Sequence, residues 1–300
     1  RASIAGLWPK CFGGLGMIIE WHTLNREPSL TDLYVKAATR RKITGTTLPA
    51  TGLRCWITVD PQRLAAYRKV CGFADNGLLP PTYPHILAFA LQMQLLTDKT
   101  FPFPLLGLIH LSNRIRILRP MGGVNRARVS VQVQNLQPHA KGATFDLVTT
   151  LDDQLGVLWE AQSQMLCRGV KLEGEPVEEV LASTLELMEV ARWQAPTDIG
   201  RQYAKVSGDY NPIHLSAVSA RLFGFPTAIA HGLWNKARTI AALSEHLPAA
   251  NVEIAVQFRK PVRLPSEVTL LSSAAGSSGD FQLVGAGDLE HMVGHWRPVA

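Results

Sequence analysis

After Pro84 the run HILAFALQMQLL is apolar nearly all the way round, the pattern of a helix buried on every side. A second helix is predicted after Ala230, in HGLWNKARTIAALSEHL, where Leu233, Ala237, Ile240, Leu243 and Leu247 recur at helical spacing. Strands follow each helix. In VEIAVQF, Val252, Ile254, Val256 and Phe258 alternate with Glu253, Ala255 and Gln257, a period of two with one buried face. Val129, Val131 and Val133 alternate in the same way, and further strands are predicted at 143–150 and 156–167, then at 266–274, 281–287 and 289–296. Each half of the chain therefore reads as one long buried helix followed by antiparallel strands. This is an α+β pattern that a sheet wrapped round a central helix would satisfy. Between the halves runs an acidic stretch, 172–190, with Glu173, Glu175, Glu178, Glu179, Glu186 and Glu189. Within it Leu181, Leu185 and Met188 recur at helical spacing, so part of it is expected to be helical.

The halves are also related as sequences. YRKVCG at 67–72 matches YAKVSG at 203–208, Pro81-Thr82 matches Pro226-Thr227, and Arg119-Pro120 matches Lys260-Pro261. The offsets are 136, 145 and 141 positions. Each match is weak alone, and their shared order carries the inference of an internal repeat. The change in offset means that nine residues are missing from the first half, where the second half carries Asn-Pro-Ile-His.

Composition narrows the function classes. With 300 residues, 46% hydrophobic and 18% charged, the chain is expected to pack a core rather than remain disordered. The net charge of +6 is compatible with nucleic acid, a membrane surface or an anionic ligand. Arg40, Arg41 and Lys42 cluster, and Arg114, Arg116, Arg119, Arg126 and Arg128 follow one another along a predicted sheet. Solvated surface is one reading of these clusters, and attraction to coenzyme A phosphates or an acidic carrier protein is the other. No recognition-helix, zinc-finger or aromatic-basic pattern points to nucleic acid. Cys11, Cys55, Cys71 and Cys167 show no Cys-x-x-Cys spacing, and four cysteines in this length fit buried thiols in a reducing, cytoplasmic setting. No apolar run is long enough for a membrane span. Residues 1–16 make a poor secretory signal, and Met17 is a candidate natural start.

Candidate chemistry concentrates in YAKVSGDYNPIHLSAVSARLFGFPTAIAHGL, residues 203–233. Asp209 precedes His214 by five positions across an Asn211-Pro212 turn, whose φ angles are restricted at both residues. Such a turn can face a carboxylate and an imidazole toward one water. Histidine suits acid–base work because its ordinary pKa lies near the working pH. The bland alternative is that Asp209 caps the next helix and His214 is a polar residue in its first turn. His231-Gly232 opens the second long helix, where the Gly232 N–H can face a developing oxyanion and the missing side chain leaves room for an acyl group. His231 reads equally as a satisfied core histidine. Asn211 supports the turn, and Ser207 is a structural support. In the first half Tyr83 and His85 hold the equivalent helix start, with core packing and an acyl-pocket role as the two readings.

The segment 203–233 resembles the signature of MaoC-like dehydratases, the family of (R)-specific enoyl-CoA hydratases and 3-hydroxyacyl dehydratases. The likeness extends more loosely over 192–300, and the first half resembles the degenerate repeat of double-hotdog members. The resemblance implies a double hotdog with an N-terminal extension over 1–50, a degenerate repeat over 51–170, an acidic linker over 171–191 and a catalytic repeat over 192–300. It implies that Asp209 and His214 hold and activate water while the Gly232 backbone holds the thioester oxygen. It implies reversible syn hydration of a trans-2-enoyl thioester, with coenzyme A or acyl carrier protein as the substrate's handle, no cofactor and no metal. Members often carry a serine further along the helix, where this chain has Thr239 or Ile240. Homodimers are common in the family. The rival readings are a hotdog thioesterase and a non-catalytic subunit that binds an acyl carrier or partner. The nine absent residues could open room for a long or bulky acyl chain.

Overall fold

The structure is a computed structural model describing residues 18–176, 180–183 and 185–299. The expectations for residues 1–16 and Met17, and for Cys11, lie outside the described residues. In chain order the elements are β1 (Glu20–Leu24), α1 (Leu30–Thr39), β2 (Thr51–Thr58), α2 (Pro61–Cys71), α3 (Tyr83–Leu96), β3 (Ile109–Ile117), β4 (Arg126–His139), β5 (Gly142–Asp153) and β6 (Gly156–Arg168). There follow β7 (Met188–Ala195), α4 (Ile199–Ser207), a 3-10 turn at Pro212–His214, α5 (Ala217–Arg221), α6 (Gly232–Ala242), β8 (Val252–Phe258), β9 (Ser266–Ser272), β10 (Gly279–Gly285) and β11 (Leu289–Pro298).

The described strands form one sheet in the order β1-β2-β4-β5-β6-β3-β8-β11-β10-β9-β7. The repeat is plain in this order. Counting the five strands of each half along the chain, both halves run first, third, fourth, fifth, second across the sheet. The two second strands, β3 and β8, pair antiparallel at the centre, from Ser112 opposite Gln257 to Ile117 opposite Val252. Residues 18–50 add the edge strand β1, parallel to β2, and helix α1.

Each half encloses its own central helix, as the hydrophobic pattern predicts. In α3 most side chains are buried, and the partly open ones include His85 and Phe89, which share one face. The core joins both halves, with Phe101, Phe103, Phe145, Trp159, Ile254, Phe281 and Trp296 fully or almost fully buried. Cys55, Cys71 and Cys167 are buried free thiols. Among the described residues no helix is long and apolar enough to cross a membrane.

Three expectations change. Leu181 and Leu185 are not helical. The Leu181 N–H donates to Gln257 Oε1 at 3.0 Å and Arg259 Nη2 donates to the Leu181 carbonyl at 2.8 Å, so side chains satisfy the backbone that a helix would otherwise satisfy. Met188 opens β7 instead. The helix after Ala230 stops at Ala242, and Leu247 packs on the core from the turns beyond it. The arginine row along β3, β4 and the connection between them is largely neutralised in place. Arg116 bonds Glu253 at 2.8 Å and Glu160 at 3.3 Å, Arg119 meets Asp153 at 2.7 Å, and Arg128 meets Asp152 at 2.7 Å.

The seam between the halves carries one buried cation. Lys236 of α6 is fully buried. Its Nζ donates to the Asn113 carbonyl at 2.9 Å, to Asn113 Oδ1 at 2.6 Å and to the Ile254 carbonyl at 3.0 Å. Burial drives its pKa far down, yet three oxygens are the set that an ammonium's three N–H groups require. Lys236→Met would leave those oxygens without their donor. We expect it to lower unfolding free energy by about 3 kcal/mol or more, read from urea unfolding; unchanged stability would show that the seam does not depend on this contact.

Candidate active site

Helix α4 ends at Gly208 in the left-handed region (φ 86°), with its N–H bonded to the Ala204 carbonyl at 2.8 Å. The equivalent end of α2 is Gly72 (φ 80°), so both repeats use glycine where a side chain would be strained. The first half then enters α3 through residues 73–82. The second half instead inserts the 3-10 turn and α5 before α6.

That insertion builds the site. Asp209 Oδ1 accepts the Asn211 N–H at 3.1 Å, and Ser207 Oγ accepts the Asp209 N–H at 3.0 Å. Asn211 Oδ1 accepts the Ile213 N–H at 3.4 Å, and the His214 N–H donates to the Asn211 carbonyl at 3.0 Å. The Ile229 N–H donates to the Ile213 carbonyl at 3.1 Å, which draws the entry to α6 alongside. His214 Nδ1–H donates to the Ile229 carbonyl at 2.8 Å, so in the neutral ring Nε2 is left as the acceptor. His231, the N-cap residue of α6, donates from Nε2 to the Asp209 carbonyl at 3.0 Å and stands 3.8 Å from Asp209 Oδ2. The His214 and His231 rings stack at 3.7 Å, and His231 also packs on Tyr203 at 4.8 Å.

The structure thus brings together Ser207, Asp209, Asn211, His214, His231 and Gly232. Asp209, His214 and His231 each offer a polar atom within 4.8 Å of the others, close enough for one water oxygen to hydrogen-bond two of them. These residue types also ligate metals. Here His231 turns an N–H, not a lone pair, toward Asp209, while His214 keeps a free Nε2 lone pair. The arrangement suits a proton-handling pair around water.

The electrostatics correct one expectation. His214 does not sit near the working pH. Burial pulls its pKa down to about 3, aided by His231 and opposed by Asp209 and the Ile229 carbonyl. Burial takes His231 down to about 4, opposed by its bond to the Asp209 carbonyl. About a third of the Asp209 side chain (32%) remains accessible. Even so, burial raises its pKa, against the pull of His214 and the Asn211 N–H. Both imidazoles are therefore neutral bases at neutral pH.

Gly232 is the first residue of α6, where backbone N–H groups have no acceptor within the helix. A Cβ there would press on the Phe258 ring at 3.1 Å. Phe258 packs on His110 at 5.0 Å, while Phe89 would touch a Cβ at Gly208 at 3.4 Å and packs on His85 at 6.2 Å. Phe89, with His85 on it, thus stands beside Gly208, and Phe258, with His110 on it, beside Gly232, all four partly exposed. Tyr83 does not join the pair. Its ring is fully buried on Tyr67 at 5.2 Å, and Tyr67 lies 6.2 Å from Tyr203. Among the described cavities, one of about 560 Å³ lies beside α1 and residues 24–29, with none of residues 73–82 in its lining.

Sequence reasoning missed Tyr34, Arg63, His110, Phe258 and Gly200, all brought to the site by folding. Arg63 of α2 donates from Nε to the Val206 carbonyl at 2.8 Å and from Nη2 to the Ser207 carbonyl at 3.0 Å. Only the repeat hinted at such contacts, since α2 and α4 must pair if the two halves are related as hotdogs.

A duplicated helix-in-sheet fold, with an acid–base pair at the entry to the second central helix, defines a double-hotdog protein of the hydratase type. The MaoC like domain matches residues 172–293. Over 233 residues the chain is 35% identical to 3-hydroxyacyl-thioester dehydratase X of Mycobacterium tuberculosis, spanning 76% of this chain and 81% of that one. The crystal structure of HtdX from the same organism superposes with a TM-score of 0.72 at 31% identity, covering 82% of this chain and 99% of that one. A MaoC-like dehydratase from Phytophthora capsici shares the fold, with a TM-score of 0.69 at 21% identity over 86% of this chain and 96% of that one. The chain belongs to the MaoC-like dehydratase family.

Proposed function

We propose that this enzyme reversibly hydrates trans-2-enoyl thioesters to (R)-3-hydroxyacyl thioesters, with coenzyme A or acyl carrier protein as the handle. The observation that carries the reading is the pairing of Asp209 with a neutral His214 whose Nε2 is left as an acceptor. In the hydration direction a water sits between the carboxylate and His214 Nε2. One of these groups takes its proton as the oxygen attacks Cβ. The pair then returns a proton to Cα on the same face, so no net proton is gained or lost. The first-turn N–H of Gly232 faces the thioester oxygen, whose charge grows as the enolate forms. Dehydration retraces these steps.

The test is loss of enoyl absorbance with trans-2-enoyl thioesters of increasing chain length on both handles, with Asp209→Asn as control. Absence of turnover on every substrate would defeat the hydratase reading, and full turnover by the variant would defeat the acid–base role of Asp209.

The pKa directions give a pH prediction. His214 reaches its inactive cationic form only as pH falls toward about 3, so no activity limb is expected near the ordinary histidine value of 6.5. The acid limb follows Asp209, whose carboxylate form is lost as pH falls through a value above 3.8. A pH–kcat profile that breaks at 6.5 in wild type and moves on His214 substitution would contradict this.

A further inference from the structure

The first half lacks its own acid–base pair, yet it holds the loop that carries Asp209. The backbone from Gly208 to Tyr210 can be accounted for group by group. The Gly208 N–H closes α4, Ser207 takes the Asp209 N–H, and His231 bonds the Asp209 carbonyl. The two groups that flank Asp209, the Gly208 carbonyl and the Tyr210 N–H, bond each other at 3.2 Å and are bridged by one side chain, Tyr34 of α1. Its hydroxyl donates to the Gly208 carbonyl at 2.8 Å and accepts the Tyr210 N–H at 2.6 Å. The ring adds an edge contact with Tyr210 at 6.3 Å, and Leu30, one turn earlier on α1, lies where a Gly208 Cβ would be at 2.7 Å. Burial and the nearby Asp209 raise the phenol's pKa, so the hydroxyl keeps its proton for the Gly208 bond.

We propose that Tyr34 is a positioning residue for Asp209, and that α1 thereby completes the active site from outside the catalytic repeat. The inference rests on the hydratase reading and deepens it. The hydrogen bonds described for Tyr34 go to the Gly208 and Tyr210 backbone, not to the carboxylate or His214. Tyr34 acts by pinning the peptides on both sides of Asp209, so that the carboxylate meets the water held by His214. Helix α1 itself is lightly anchored, with Leu33 and Ala37 as its buried residues, so the hydroxyl bridge is a large part of what ties it to the loop.

Tyr34→Phe removes one oxygen and keeps the ring. The expected result is a fall in kcat of about 10- to 100-fold with KM nearly unchanged, as a small displacement of a reacting group produces. A purely structural role would not move one further readout. A loosened loop admits water to Asp209, so the acid limb of kcat should shift to lower pH. The Tyr210 amide, which loses its hydroxyl acceptor, should also exchange its hydrogen faster, which checks that the bridge is broken. Arg63→Met, which can donate to neither carbonyl, is the second variant and should move both readouts the same way. Wild-type kcat, acid limb and Tyr210 exchange in Tyr34→Phe would overturn the proposal. So would a loss of activity fully explained by a smaller folded fraction. Asp209→Asn is assayed beside it. If that variant is inactive while Tyr34→Phe behaves as wild type, only the positioning role falls; if Asp209→Asn is fully active, the acid–base role of Asp209 falls with it, and if wild type turns over no enoyl thioester, the hydratase reading itself falls.

Discussion

Asp209→Asn and His214→Ala are each expected to slow enoyl-thioester turnover by on the order of 10²–10⁴ while leaving the fold intact. Asp209→Asn is the cleaner test. Asparagine keeps an oxygen for the Asn211 N–H but cannot carry the charge or take a proton. His214→Ala removes the Nε2 acceptor and also frees the Ile229 carbonyl, so it should cost about 1 kcal/mol of stability as well. The double variant should be little worse than either single one, because the two groups act on one water as a unit. The loss should fall on kcat and kcat/KM alike, since water activation matters in the transition state and not in thioester binding. If both variants stay folded and turn over normally, the acid–base assignment is wrong. If Asp209→Asn alone is active, His214 Nε2 is the sole base and the carboxylate merely orients it.

Much of this site could be read along the chain because the chemistry is local. Ser207, Asp209, Asn211 and His214 lie within one turn, and a stiff Asn-Pro pair has few ways to arrange them. The central helices and the strands behind them were legible for a similar reason, since burial on all sides or on one face imprints a period. What escaped is non-local or edge-bound. β7 carries mostly exposed side chains, so its alternation is hidden within an acidic stretch. Tyr34 is 174 positions from the carbonyl it holds, and no spacing rule reaches that far. The depressed histidine pKa values come from burial by elements that the motif does not contain. The helical reading failed at Leu181 because Gln257 and Arg259, far along the chain, take over its backbone, and at Leu185 because Ser183 Oγ takes its N–H.

Gly200→Ala is expected to cut kcat by about 10²-fold, a large effect for one methyl group distant from the substrate. Gly200 sits in the first turn of α4, directly against the segment that presents His214. A Cβ built there would lie 1.9 Å from the His214 carbonyl oxygen and 2.9 Å from its carbonyl carbon. Real side chains do not approach so closely, and both contacts are backbone, so no flexible side-chain tip can yield. Arg201 reinforces the contact by donating from Nη1 to the Leu215 carbonyl at 2.9 Å. Two effects oppose each other. Alanine in a helix gains about 0.5–1 kcal/mol over glycine. Forcing a methyl into close-packed backbone costs about 1–3 kcal/mol and moves whichever element is easier to shift. The packing cost wins, and the 3-10 turn is the easier element to move because it is three residues long and anchored at His214 by the Ile229 bond. His214 Nε2 then leaves the water it shares with Asp209, while Gly232 and the thioester contacts stay in place. KM should therefore change little as kcat falls. Measuring kcat, KM and urea unfolding for this variant decides the matter. A variant more stable than wild type and equally active would show that α4 does not set the position of His214.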